Sequence, residues 1–100
     1  MPKFAVSVPH ELTQEEAVER LSHFSEKIQE HYQDQIKNFT QSWEGKLLNF
    51  AFRTFGFDIS GKVHVDAPEV KLDGDLPFAA MMFKGKIEQS IRDELTRLLK

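Results

Sequence analysis

From residue 38 to residue 76 the chain alternates apolar and polar residues, and Gly or Pro breaks the alternation three times. A period of two puts successive side chains on opposite faces of an extended strand; a helix would spread them round its axis. The pattern predicts strands over 38–43, 46–54, 57–65 and 70–76. Turns are expected at Glu44-Gly45, at Phe55-Gly56 and at Asp66-Ala67-Pro68-Glu69, where Gly and Pro meet the demands of turn geometry.

Those turns imply a register. A two-residue turn at Glu44-Gly45 sets Trp43 opposite Lys46, Gln41 opposite Leu48 and Phe39 opposite Phe50. The Phe55-Gly56 turn sets Phe52 opposite Ile59, Phe50 opposite Gly61 and Leu48 opposite Val63. The third turn sets Val65 opposite Val70, Val63 opposite Leu72 and Gly61 opposite Gly74. Three independent turns thus gather the apolar residues on one face, and a slip of one residue in any of them would break the agreement. The other face is wetted, with Arg53, Lys62 and Lys71 set against Asp58, Asp66, Asp73 and Asp75.

The flanks read differently. Residues 3–8 form a short strand with Phe4, Val6 and Val8 on one side, ended by Pro9. Thr13 and Glu16 form a capping box, with Leu12 and Ala17 as a staple. The stripe Ala17, Leu21, Phe24, Ile28 and Tyr32 then predicts one helix to about Gln35. A last helix opens at Leu76-Pro77 and buries Ala80, Phe83, Ile87, Ile91, Leu95 and Leu98. The expected architecture is a single α+β domain, β-α-β-β-β-β-α, with an antiparallel five-stranded sheet and both helices on one face. That is the connectivity of TATA-binding-protein-like and helix-grip folds, an analogy that carries no function by itself.

Composition narrows the function. One hundred residues suit one domain, and nine Phe point to an aromatic core. There is no Cys, hence neither a disulfide nor a thiolate metal site. The start is too short and too alternating for a signal peptide, and no apolar run approaches the roughly 20 residues that span a bilayer. A soluble, cytoplasmic protein is expected. Net charge is −3 with no basic block, which argues against nucleic acid as a partner.

No catalytic constellation is visible. His10, His23, His31 and His64 lack metal-ligand spacing and read as surface residues. The Asp residues lie on the wetted face, no Ser sits in a nucleophile elbow and no glycines form a phosphate loop. A catalytic site, metal or cofactor is therefore not expected.

Two features stand out. Gly61 and Gly74 face each other in the row of Phe39 and Phe50. They form either a bend covered by a Phe ring or a gap, lined by Phe24, Phe39 and Phe50, that holds an apolar ligand. The second is Phe78-Ala79-Ala80-Met81-Met82-Phe83, more apolar residues in a row than one packed face requires. Phe78, Met81 and Met82 lie off the buried stripe. They are either buried by neighbouring elements or free as an adhesive patch for a partner subunit or an apolar surface.

Three segments carry a resemblance. Val8-Pro9-His10-Glu11-Leu12-Thr13-Gln14-Glu15-Glu16-Ala17, the Trp43-Glu44-Gly45 turn and the run from Asp73 to Gly85 (DGDLPFAAMMFKG) resemble the polyhydroxyalkanoic acid system proteins. These are small bacterial proteins associated with genes for storage polyester, some linked to the granule surface, and without established catalytic residues. The resemblance implies a non-catalytic accessory protein whose partner is the polyhydroxyalkanoate granule surface or a protein of that system. Phe78, Met81 and Met82 would form the contact. A helix-grip-like carrier of a small apolar ligand and a structural homo-oligomer, such as a homodimer, are the alternatives.

Overall fold

A computed structural model describes residues 2–100. The elements are β1 (Lys3–Pro9), α1 (Gln14–Leu21), α2 (Phe24–His31), β2 (Ile36–Glu44), β3 (Leu47–Thr54), β4 (Phe57–Val65) and β5 (Glu69–Asp75). A 3₁₀ helix (Phe78–Phe83) and α3 (Lys84–Leu98) complete the chain. The sheet is antiparallel in the order β1-β5-β4-β3-β2. The helices pack on the face that carries Phe4, Leu48, Val63 and Leu72, and one cluster of buried side chains joins the two layers.

The sheet follows the alternation closely. Phe52 faces Ile59, Phe50 faces Gly61 and Leu48 faces Val63, while Val65 faces Val70 and Gly61 faces Gly74. At the β3–β4 turn Phe55 and Gly56 both have positive φ, +54° and +81°, as a tight hairpin of matching twist requires.

The first hairpin departs from expectation by one turn position. Its two turn residues are Gly45 and Lys46, so Trp43 faces Leu48 and Gln41 faces Phe50. Gly45 has φ +63°, and a two-residue turn with glycine first suits that geometry better than one with Glu44 there. The partner changes by two residues, so every side chain keeps its face. Near the other end of β2 a bulge lies between Lys37 and Thr40, with Asn38 at φ +55°; the turn shift alone takes Phe39 away from Phe50, which faces Gln41.

The predicted first helix is two. Ser22 Oγ donates to Glu19 O, and the Ser22 N–H is shared between Val18 O and Glu19 O, which tightens the last turn of α1. The second piece stops at His31 rather than near Gln35. Strand β1 runs on through Pro9, which pairs with Glu69; proline is tolerated there because β1 is an edge strand. The last helix begins as a 3₁₀ segment, and α-geometry starts only at Lys84. Near its end Glu94 and Leu99 are buried, while Leu98, expected inside, is half-buried.

Candidate functional site

The 3₁₀ segment explains why six apolar residues can stand in a row. With three residues per turn, side chains three apart line up. Ala80 is fully buried and Phe83, three residues on, is half-buried, so this row faces the protein. The other two rows, Phe78–Met81 and Ala79–Met82, turn outward. Phe78 and Met82 are each 81% exposed and Met81 is 40% exposed. Buried Leu76 anchors the segment just upstream, with Pro77 at its N-cap.

Phe83 links this ledge to the β3–β4 turn. Its ring stacks on Phe55 at 4.5 Å and 17°, with Phe57 at 6.1 Å. Phe55 is itself 37% exposed, and Lys86 Nζ lies 5.1 Å from the centre of its ring. Phe55 and Lys86 were not among the residues singled out above. The available signal was a Phe at a turn position that favours Asn, Asp or Gly.

The residues considered for an internal pocket are packed together. Phe24 meets Phe39 and Phe50 edge-on at 6.0 Å, and Phe39 stacks on Phe52 at 5.7 Å. Where a side chain on either glycine would point, the space is taken by a ring and, at Gly61, first by the Asp73 backbone oxygen at 2.5 Å. A Cβ on Gly61 would come within 2.8 Å of Phe50 Cζ, and one on Gly74 within 2.2 Å of Phe4 Cζ. An apolar cleft between α2, α3 and the ends of β2 and β3, lined by Ile28, Tyr32, Ile36, Phe52 and Ile87, has a volume of about 20 Å³. That is room for about one water molecule.

The histidines divide. His10 is not a surface residue but a buried strap: Nδ1 accepts from the Leu12 N–H at 3.1 Å, so the proton sits on Nε2, which donates to Asp66 O at 2.6 Å. His31 donates through Nδ1 to the carboxylate of Glu94, which is 1% exposed and also accepts from Arg97. His23 lies near Glu19 and Glu26, and His64 near Asp73. Among the described residues no three His, Asp or Glu side chains converge as a metal site would need.

On the wetted face the charges pair off across strands, Lys3 with Asp75 at 2.9 Å and Arg53 with Asp58 at 3.1 Å. Two carboxylates are held below their usual range. The Thr13 backbone N–H bonded to Glu16, and then the Thr13 hydroxyl, lower Glu16. The Ser7 hydroxyl lowers Glu69, with Lys71 adding to it.

Sheet, helices and ledge together define a small α+β domain whose most prominent exposed apolar surface is a run of Phe and Met. The chain belongs to the polyhydroxyalkanoic acid system protein family: the family model described as "Putative polyhydroxyalkanoic acid system protein" matches residues 4–99. No curated protein matches the chain. No helix among the described residues is long and apolar enough to cross a membrane.

Proposed function

We propose that this protein is a non-catalytic accessory protein of the polyhydroxyalkanoate storage system that works at the granule surface in the cytoplasm. Phe78, Met81 and Met82 make the contact, and Phe55 continues it. The observation that carries this reading is the 81% exposure of both Phe78 and Met82. Side chains of this kind gain roughly 1.5–3 kcal/mol each on full burial, and a chain normally keeps them inside. A polyester granule offers an apolar surface for them. Because association has its own entropic cost, a few such side chains suit reversible attachment better than permanent anchoring. The internal-ligand alternative has less support, since Phe24, Phe39 and Phe50 pack against one another and the rings of Phe4 and Phe50 lie against the two glycines.

The test is co-flotation of the purified protein with amorphous polyhydroxyalkanoate granules, with lipid droplets as the control. Selective flotation with polyester is expected, and its loss in folded Met81→Asp/Met82→Asp. Undiminished flotation of that variant would remove the ledge from the contact. Flotation of neither protein would redirect the reading to a protein partner within the same system.

A further inference from the structure

Two lysines flank the exposed ledge, and neither has a carboxylate partner. From Leu76 to Ile87 the chain carries Lys84 and Lys86 and no acid, although its net charge is −3. Lys86 is exposed on the side of the β3–β4 turn, with its Nζ 5.1 Å from the centre of the Phe55 ring. Lys84 is half-buried on the side of β1, where it borders a surface hollow with Lys3, Phe4 and Ala5. Lys3, Lys27, Lys46 and Lys71 each have a carboxylate within ion-pair distance. Among the described residues Lys84 and Lys86 have none. Asp73 and Glu88 border the same hollow, but Asp73 lies against His64 and Glu88 accepts from the Ala5 N–H.

Their place on the helix is unfavourable as well. Cations in the first turn oppose the helix dipole, which favours acids there. The first turns of α1 and α2 carry Glu15, Glu16 and Glu26, whereas that of α3 carries no acid. Helix stability therefore does not account for Lys84 and Lys86.

We infer that the ledge docks where polyester chains end in carboxylates. Phe78, Met81 and Met82 meet the apolar chains, and Lys84 and Lys86 meet the charged ends. The assignment rests on the granule reading above, and polymer chemistry then leaves one anion. A linear polyester of hydroxy acids is uncharged along its length. Each chain ends in one hydroxyl and one carboxyl, and the carboxyl is ionised at neutral pH. Cleavage of one ester bond by one water adds one hydroxyl and one carboxyl, so a partly hydrolysed surface offers more anchors than an intact one. Apolar side chains bordered by Lys are also the arrangement that holds helices at anionic interfaces. Attachment accordingly rises with the density of chain ends.

The test is flotation with two batches of amorphous polyhydroxyalkanoate particles made from one short polymer. One batch keeps free carboxyl ends, and the other has them capped as methyl esters. The natural chain should float with the acid-ended batch at a particle concentration roughly fivefold lower, about the gain one lysine gives at an anionic surface. That preference should fade in about 1 M salt, where charges are screened beyond ~3 Å. Lys84→Glu/Lys86→Glu suits the helix dipole, so it should fold and should reverse the preference. Equal flotation of the natural chain with both batches would overturn the inference and leave the granule reading standing. An unchanged preference in the charge-reversed variant would do the same. Flotation with neither batch would overturn both. Flotation with phosphatidylglycerol vesicles alone would also overturn both and give the ledge to a membrane.

Discussion

The ring of Phe4 occupies the place a side chain on Gly74 would take. The two residues face each other across β1 and β5, and a Cβ on Gly74 would lie 2.2 Å from Phe4 Cζ and 2.3 Å from Cε1. Neither Gly74 nor its neighbour Gly61 has a left-handed φ, so the demand for glycine here is steric. Gly74→Ala should therefore lower stability by about 1–3 kcal/mol, the usual range for overpacking. Phe4→Leu shortens the obstructing side chain and should recover part of that loss in the double variant. Urea denaturation of the four proteins measures the coupling, and strictly additive losses would show that the ring is not the obstacle.

How much of this was legible beforehand depended on the range of the interaction. The Gly61–Gly74 pair was readable because one turn and a period of two fix the register between them, and both are local properties. The Gly45-Lys46 turn was misplaced by one position because Glu44-Gly45 and Gly45-Lys46 give the same faces, so hydrophobicity cannot separate them. The break at Ser22-His23 was missed because the apolar stripe runs through it without a fault. His10 and Glu94 were missed for another reason. Their burial depends on Asp66 and His31, each more than fifty positions away, and no local pattern announces such a partner. For the ledge, the excess of apolar residues was visible, whereas its exposure follows from a 3₁₀ pitch that periodicity alone did not predict.

Glu94 offers a test of which partner of a buried ion pair matters. Its carboxylate is buried, while His31 and Arg97 are partly exposed. Removing the carboxylate leaves two groups that can turn to water; removing Arg97 leaves a buried charge with His31 alone. Replacing a buried ionic group with an apolar one of similar volume is often neutral, whereas stranding a buried charge costs about 3–5 kcal/mol. Glu94→Met should thus be tolerated better than Arg97→Met in thermal unfolding at neutral pH. The reverse order would mean that Glu94 contributes net stability through its pairs.

Acid should act through Glu16 and Glu69. Both are held below the usual 4.5, Glu16 mainly by the Thr13 backbone N–H and Glu69 mainly by the Ser7 hydroxyl. A carboxylate whose folded pKa is depressed adds stability that is present above its unfolded value and lost as pH falls through its folded one. The unfolding midpoint should therefore fall as the solution is acidified below about pH 4.5. Glu16→Gln should be the less stable protein near neutrality and converge on the natural chain in acid, and Ser7→Ala should behave likewise. Curves that stay parallel across that window would mean that neither bond shifts its carboxylate.

Phe55 sets stability against surface chemistry. Its φ of +54° lies in the left-handed region, where a residue with a side chain costs roughly 1–2 kcal/mol. The stack on Phe83 returns about 0.5–1.5 kcal/mol, and Lys86 over the ring about 0.5–1 kcal/mol. These contributions nearly cancel. Asn fits the same turn position with little strain, so Phe55→Asn should leave the unfolding free energy almost unchanged. It should nonetheless shorten the apolar ledge and weaken flotation with polyester granules, though less than the Met81→Asp/Met82→Asp variant does. Equal flotation with unchanged stability would confine the contact to Phe78, Met81 and Met82. A large loss of stability would mean that the stack on Phe83 is a structural bond first.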